Sequence, residues 1–214
     1  MLVWSLVLIL IGGIVEMVPT FLIKSNVPTI ASVEPYTPLE LEGRDIYIRE
    51  GCNACHTQMV RPFRAETERY QGEYAKAGEF VYDHPFLWGS KRTGPDLLRV
   101  GGKYPNSWHY VHMVTPNELS TGSIMPPYPW LYEQDLNTSN TLAKINAMRT
   151  MGVPYPEMSD ADIQNQMAFQ TEGIVNDLKT AGLEANGDKE IIALIAYLQR
   201  LGTDISKVNP EVNE

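Results

Sequence analysis

Hydrophobic residues form one continuous run at the start of the chain. Residues 1–23 read MLVWSLVLILIGGIVEMVPTFLI, and Glu16 is the only ionisable side chain among them. A helix of this length spans roughly 34 Å at about 1.5 Å per residue, which is enough to cross a bilayer core. The rival, a cleaved signal peptide, normally has basic residues before its apolar stretch. None occurs before Lys24, so we predict a transmembrane anchor over residues 1–23.

The rest of the chain shows helical periodicity near both of its ends. After a polar linker at residues 24–36, Thr37, Pro38 and Glu40 form an N-cap, a first-turn proline and a capping box for a helix that runs to about Glu50. Apolar spacing predicts further helices over residues 107–114, 140–151, 159–178 and 188–201. No segment alternates with the two-residue period of a strand. We therefore predict an all-α domain over residues 37–205, with long loops and a C-terminal tail at 206–214.

The charge of the chain is unevenly distributed. There are 17 Lys+Arg residues against 26 Asp+Glu residues, a net charge of -9, which argues against a nucleic-acid partner. Residues 38–110 contain ten basic and ten acidic side chains, whereas residues 111–214 contain six and fourteen. The acidic half either steers a basic partner or is a solvated surface that aids solubility. The sequence leaves both interpretations open.

The only two cysteines of the chain lie in one short motif. Cys52, Asn53, Ala54, Cys55 and His56 form C-x-x-C-H, the attachment signature of c-type haem. Two thiols three residues apart lie on one helical turn and can form thioethers with the haem vinyl groups, and the histidine that follows becomes the proximal iron ligand. A redox dithiol and a partial zinc site are the alternatives. The first lacks its usual βαβ setting, and the second lacks further ligands at zinc spacing, so we predict one covalent haem.

The motif supplies one axial ligand, so the second must come from farther along the chain. Met125 lies in a stiff Met-Pro-Pro loop that suits a thioether ligand, and Met158 is the alternative. A histidine ligand or an open position also remains possible. Met59 is too close to His56 to reach the opposite haem face. Four other methionines fall on apolar helix faces and are predicted to lie in the core: Met113, Met148, Met151 and Met167.

The segment Thr93–Leu97 reads TGPDL and supplies a third signal. A proline carbonyl beside the proximal histidine accepts the ring N–H, which fixes the orientation of the ring and raises its basicity. We predict this role for Pro95. The same segment alone would be a weak signal, because many turns contain Gly-Pro.

The remaining aromatic and charged residues receive structural interpretations. We expect three tryptophans to be core or interface residues: Trp88, Trp108 and Trp130. Three histidines are expected to be hydrogen-bonded structural groups: His84, His109 and His112. Four basic residues near the motif are expected on the solvated surface, with haem propionates as their alternative partners: Arg61, Arg64, Lys91 and Arg92.

The order of these motifs resembles a class I cytochrome c. Gly43 and Tyr47 precede C-x-x-C-H, and Gly-Pro-x-Leu, Met-Pro and the final segment Leu194–Leu198 follow. In that fold the first and last helices cross where the glycine allows close approach. Residues 51–113 and the segment GSIMPPYPWL more closely resemble subunit II of cbb3-type cytochrome c oxidases, the membrane-anchored mono-haem subunit.

This resemblance implies a concrete function. The chain would relay electrons from a di-haem cytochrome c subunit to the low-spin haem b of a catalytic haem–copper subunit, where oxygen is reduced. Its own domain would have no catalytic site and would lie on the periplasmic side of a bacterial cytoplasmic membrane. Cys52 and Cys55 would hold the haem, with His56 and Met125 as its axial ligands. A nitric oxide reductase subunit and a haem-based gas sensor are the rival functions; a peroxidase is disfavoured because a second C-x-x-C-H is absent.

Overall fold

The structure is a computed structural model that describes residues 1–22, 27–70 and 74–206. The helices are α1 (Leu2–Leu22), α2 (Pro38–Arg49), α3 (Cys52–Cys55), α4 (Arg64–Arg69), α5 (Asn106–Val114), α6 (Pro116–Leu119), α7 (Thr141–Thr150), α8 (Asp160–Thr180), α9 (Glu190–Arg200) and α10 (Thr203–Ser206). Short 3₁₀ helices cover Ala77–Phe80 and Pro129–Tyr132. Within the described ranges there is no strand, only an isolated bridge between Asp135 and Lys189. The all-α prediction is confirmed.

Helix α1 contains the apolar run at the start of the chain. Its segment Leu2–Pro19 is long and apolar enough to cross a membrane, and no other described helix meets that condition. Pro19 lies inside the helix near its end. The last residue of the predicted span, Ile23, and the first three residues of the predicted linker, 24–26, lie outside the described residues.

Helix α2 begins as its capping signals predict. Thr37 Oγ1 accepts a hydrogen bond from the Glu40 backbone N–H at 3.3 Å, and the Glu40 carboxylate accepts one from the Thr37 N–H at 2.8 Å. This reciprocal box satisfies two of the N–H groups that a helix start leaves unpaired. At the other end, Gly51 adopts φ 71°, a left-handed conformation that favours glycine and turns the chain into α3.

The centre of the domain is the crossing of α2 and α9, the most extensive contact between any two helices described. Every residue of α9 from Glu190 to Leu198 is buried. The two helices approach closely at Gly43, where an added methyl carbon would lie only 2.8 Å from Tyr197 Cβ and would overlap the Ala193 carbonyl. Tyr47 and Tyr197 pack beside this point, with ring centroids 5.3 Å apart. This crossing is the feature that a class I cytochrome c fold requires.

Helix α8 packs around this centre against α2, α5, α7 and α9. Its start is capped reciprocally by Ser159 and Asp162, as their spacing indicates. Helix α9 begins two residues later than predicted. The reason is a backbone pairing in which Leu136 N–H donates to the Asp188 carbonyl at 2.7 Å and Glu190 N–H donates to the Gln134 carbonyl at 3.1 Å. These bonds hold Lys189 in an extended conformation.

The core contains three of the four methionines assigned to it. Met113, Met148 and Met167 are buried, as predicted. The prediction for Met151 is wrong, because its side chain is 51% exposed. Helix α7 ends at Thr150, and Met151 is already the C-cap residue before Gly152 turns the chain at φ 95°. Met151 therefore no longer follows the buried face of the helix.

Candidate functional site

The C-x-x-C-H motif forms a single helical turn, α3, directly after the Gly51 bend. The His56 backbone N–H closes the turn by donating to the Cys52 carbonyl at 2.8 Å. No disulfide joins the two cysteines; Cys52 is half-buried and Cys55 is exposed. The turn therefore brings two thiols and one imidazole together.

The Cys52 environment is unlike that of a redox dithiol. Burial, and then the nearby Glu50 carboxylate, raise the pKa of the Cys52 thiol to about 12. A nucleophilic thiol needs the opposite, a pKa lowered by positive charge or a helix N-terminus. The alternative zinc interpretation has no visible cluster either, since the residues described contain no group of three or more His, Cys, Asp or Glu that could hold a metal ion. A haem iron differs in needing only two axial ligands from the protein.

The His56 ring is held between a carbonyl and a glycine. Its Nδ1 lies 2.7 Å from the Pro95 carbonyl oxygen, and because that oxygen only accepts, Nδ1 carries the proton and Nε2 keeps a free lone pair. A methyl carbon added at Gly94 would lie 2.6 Å from Nδ1 and 2.7 Å from Nε2. Burial lowers the pKa of His56, so the ring is neutral at pH 7. A neutral, oriented imidazole is the form that ligates a metal.

The backbone around His56 is tied to four separate parts of the fold. Tyr47 of α2 donates its hydroxyl to the His56 carbonyl at 2.7 Å. Gln58 bonds to the Leu87 carbonyl through its N–H at 3.0 Å and to the Tyr197 hydroxyl of α9 through Nε2 at 2.6 Å. Gly94 N–H donates to the Cys55 carbonyl at 2.9 Å. The motif thus rests on both crossing helices and on the loop that contains Pro95.

The loop with Met125 is fixed beside the same turn. Tyr128 N–H donates to the Met113 carbonyl of α5 at 2.7 Å, and Trp130 Nε1 donates to Glu50 at 3.0 Å. Burial is the main cause of the raised pKa of Tyr128, and the charges of Cys52 and Cys55 are the next largest causes. The Met125 loop therefore lies next to α3. Met125 is half-buried against the main core. The alternative residue, Met158, is half-buried at the start of α8, next to the N-cap Ser159.

Two histidines of α5 carry unexpected buried nitrogens. Across the described part of the chain, no hydrogen-bond partner is found for His109 Nε2 or His112 Nδ1. The expectation that these histidines are fully hydrogen-bonded is therefore wrong at these atoms. Burial, and then the neighbouring His56 ring, lower the pKa of His112, so His112 lies close to the C-x-x-C-H turn. An unpaired polar atom there fits a pocket that a bound group completes, because such atoms are otherwise costly to bury.

The basic residues near the motif differ in their environments. Arg64 is exposed and pairs with Glu68, as expected of a surface residue. Arg61 donates to the carbonyls of Gly89 and Ser90. The prediction that Arg92 lies on the solvated surface is wrong. Its side chain is 4% exposed and is surrounded by carboxylates and carbonyl oxygens. These internal acceptors occupy its donors, which removes Arg92 as a partner for a haem propionate.

Sequence reasoning missed two residues that contact or adjoin His56. Gly94 belongs to the Gly-Pro pair that the sequence shows. Its close approach to the His56 ring is a contact between residues 38 positions apart, which the sequence does not indicate. His112 gave no signal beyond its place on a short helix. The tryptophans were expected in the core or at an interface, and Trp88 and Trp130 are each 38% exposed.

Comparison with known proteins identifies the family of the chain. The family model described as cytochrome c oxidase, mono-heme subunit/FixO matches residues 1–205, which is nearly the whole chain. No curated protein matches the chain. The chain therefore belongs to the mono-haem FixO family, the subunit II family of cbb3-type cytochrome c oxidases.

Proposed function

We propose that Cys52 and Cys55 hold one haem through thioether bonds, that His56 and Met125 are its axial ligands, and that Pro95 orients His56. The observation that carries this proposal is the neutral His56 ring, packed on Gly94 with its Nδ1 proton donated to the Pro95 carbonyl. That arrangement leaves Nε2 free for iron and increases its basicity. The Met125 loop, fixed beside α3, supports a ligand from the opposite side.

The function that follows is electron transfer without catalysis in this chain. When bound, the haem would supply one-electron transfer between ferric and ferrous iron, and ligation by His56 and Met125 would leave no position open for oxygen. The chain supplies a rigid frame, because His56 and its neighbours are bonded to Tyr47, Tyr197 and the Pro95 loop. Such a frame keeps the ligand geometry similar in both redox states. Oxygen reduction then belongs to a partner subunit.

The partners follow from this role within the oxidase. We assign the donor to the di-haem cytochrome c subunit and the acceptor to the low-spin haem b of the catalytic haem–copper subunit. The long segments between His56 and Pro95 and between Leu131 and Asp188 are the proposed subunit contacts. The exposed Trp88 and Trp130 lie in and beside these segments and suit such contacts.

The apolar helix α1 supports a location in the bacterial cytoplasmic membrane. We assign residues 1–23 to a single transmembrane anchor, 24–36 to a linker, 37–205 to the cytochrome c domain and 206–214 to a tail. The haem domain is assigned to the periplasmic side, so that it faces the oxidase's electron donor.

The decisive experiment exchanges the proposed distal ligand in the full chain. Met125→Ala should abolish the sulfur-to-iron charge-transfer band of the oxidised protein, whereas the matched variant Met158→Ala should keep it. In the assembled oxidase, Met125→Ala should also slow the reduction of haem b by the donor subunit. An unchanged band in Met125→Ala, or ready binding of carbon monoxide by the reduced wild-type protein at neutral pH, would contradict the proposal.

Covalent attachment has its own test. A Cys52→Ala, Cys55→Ala double variant should lose the haem stain that survives denaturing electrophoresis, because no thioether remains. Single variants should each lower the yield. A stain that persists in the double variant would show that attachment uses other residues.

A further inference from the structure

Arg92 is a buried cation next to the proposed proximal ligand. Its Nε and Nη2 donate to the Thr57 carbonyl at 3.3 and 3.1 Å, and Nη2 also donates to the Met59 carbonyl at 2.5 Å. These two carbonyls belong to the segment that directly follows His56. The guanidinium group therefore holds the chain on the C-terminal side of the ligand.

The same guanidinium group holds the loop that supports the His56 ring. Its Nη2 lies 3.2 Å from Asp96 Oδ2, and Nη1 pairs with the Glu66 carboxylate of α4. The side chains of Arg92 and Asp96 are only 4% and 2% exposed. A charge buried to this degree is tolerated only when its donors are all engaged, and removing one partner is strongly destabilising. The position of the guanidinium group is thus tightly defined.

Asp96 transmits this constraint to the two residues that contact the ring. Its Oδ1 accepts from the Leu98 N–H at 2.9 Å, and its carbonyl accepts from the Tyr70 hydroxyl. Pro95, whose carbonyl binds His56, is its immediate neighbour, and Gly94 is bonded to the Cys55 carbonyl. The Gly94–Pro95 segment is therefore held between Arg92 and Asp96, the two ends of an i,i+4 ion pair.

We propose that Arg92 is a positioning residue for the haem ligand. By binding the carbonyls after His56 on one side and Asp96 on the other, it sets the distance between His56 Nδ1 and the Pro95 carbonyl. That hydrogen bond controls the basicity of the imidazole, and through it the balance between ferric and ferrous haem. The inference rests on the proposed ligation by His56.

The test compares Arg92→Lys with Arg64→Lys in the haem-loaded full chain. Lysine keeps the charge at position 92 but lacks the planar fork that reaches several acceptors at once. Arg64 is the matched control, because its side chain is 91% exposed and, within the described residues, its ion pair is with Glu68. Two properties are measured: the reduction potential, and the rate at which the His56 Nδ1 proton exchanges with deuterated solvent by NMR.

Arg92→Lys should loosen the Nδ1–Pro95 hydrogen bond, so the proton should exchange faster and the haem should become easier to reduce. We expect the ratio of ferrous to ferric haem at a fixed potential to rise by less than about tenfold, because Arg92 acts through Pro95 and mutation of an outer-shell partner itself typically changes metal affinity or activity by about 10–100-fold. Arg64→Lys should change neither property. The proposal would be overturned if Arg92→Lys retains covalent haem but has the same reduction potential and the same Nδ1 proton exchange rate as Arg64→Lys.

A milder variant keeps the proposal testable if Arg92→Lys does not load haem. Glu66→Ala removes the partner of Nη1 and leaves Asp96 and both carbonyls in place, so both properties should move in the same direction by a smaller amount. If they do not move, Arg92 has no positioning role. A missing hyperfine-shifted His56 ring proton in the wild-type protein would instead reject His56 ligation, which is the failure of the proposed function.

Discussion

Gly94 and His56 show how one missing side chain shapes the candidate site. The imidazole occupies the space where any other residue at position 94 would carry its Cβ. This is a requirement for close approach, since Gly94 is not among the glycines with positive φ. The ring can then come close enough for its Nδ1 to hydrogen-bond to the Pro95 carbonyl. The glycine is as much a part of the ligand site as the proline.

Gly94→Ala should therefore disturb His56 directly. The added methyl group must displace the ring or the loop, which should destabilise the haem-loaded protein by about 1–3 kcal/mol and weaken its axial-ligand absorption bands. Thermal unfolding and visible absorption measure the two effects. Gly89→Ala is the matched control in the same region, because its added carbon would meet Thr57 Oγ1 at an ordinary 3.5 Å. Equal behaviour of the two variants would contradict the close-packing argument.

Asp83 gives the protein a pH-dependent stability. The carboxylate is fully buried beside Arg44, with Arg44 Nε 3.2 Å from Oδ1, and burial raises its pKa to about 6 despite the nearby arginine. The folded-state pKa thus lies above the value of about 3.9 expected in the unfolded chain. Between these two values the folded protein binds the extra proton, so this group makes the fold less stable as the pH rises towards 6.

Asp83→Asn removes the titrating carboxyl group and tests whether the pKa of Asp83 is raised in the folded protein. Asparagine is uncharged like the protonated carboxyl group, so the stability of the variant should not change with pH through this position. The free energy of unfolding of the wild type, minus that of the variant, should rise by on the order of 1 kcal/mol from pH 7 to pH 5, since one pKa unit corresponds to about 1.4 kcal/mol. Denaturant unfolding at the two pH values measures it. A difference that shrinks towards pH 5 would show that the pKa of Asp83 is lowered instead.

Among the secondary-structure elements, α2 and α9 form the most extensive contact described. Their closest approach leaves no room for a side chain at Gly43, where a carbon would overlap the Ala193 carbonyl. Gly43→Ala should therefore destabilise the domain by about 1–3 kcal/mol through overpacking. Gly173→Ala in α8 is the matched helical control, since nothing lies within 4 Å of its added carbon. That variant should stabilise by about 0.5–1 kcal/mol, and effects of the same sign in both would contradict the crossing geometry.

The elements differ in how far the sequence predicts them. Helix α2 is predicted from local capping signals, and α9 from a long apolar face. Helices α4, α6 and α10 have only four to six residues, too few for a periodicity, and their short turns depend on surrounding contacts. The residues of the candidate site also differ in how far the sequence predicts them. Cys52, Cys55 and His56 are contiguous and readable, whereas the buried state of Arg92 arises from partners 26 to 35 residues away.

At the scale of the whole molecule, α1 stands apart from the packed domain. None of its apolar segment Leu2–Pro19 is buried by the rest of the chain described. The full chain should therefore stay with membranes during an alkaline carbonate wash, because an apolar helix of this length is stable inside a bilayer. Replacing α1 by a cleavable export signal should release a soluble domain with an unchanged haem spectrum. Release of the full chain by carbonate or high salt would contradict the anchor.

The bond between Gln58 and Tyr197 has a consequence for the timing of synthesis. Gln58, two residues after His56, relies on a hydroxyl from the last long helix, 139 positions later. At a synthesis rate of about 5–20 residues per second, that helix follows the cysteine motif by on the order of ten seconds. During this interval Gln58 lacks its hydrogen-bond partner, so the segment that follows the cysteine motif is not yet held as it is in the finished domain. Attachment of the proposed haem can therefore precede the completion of the fold by α9.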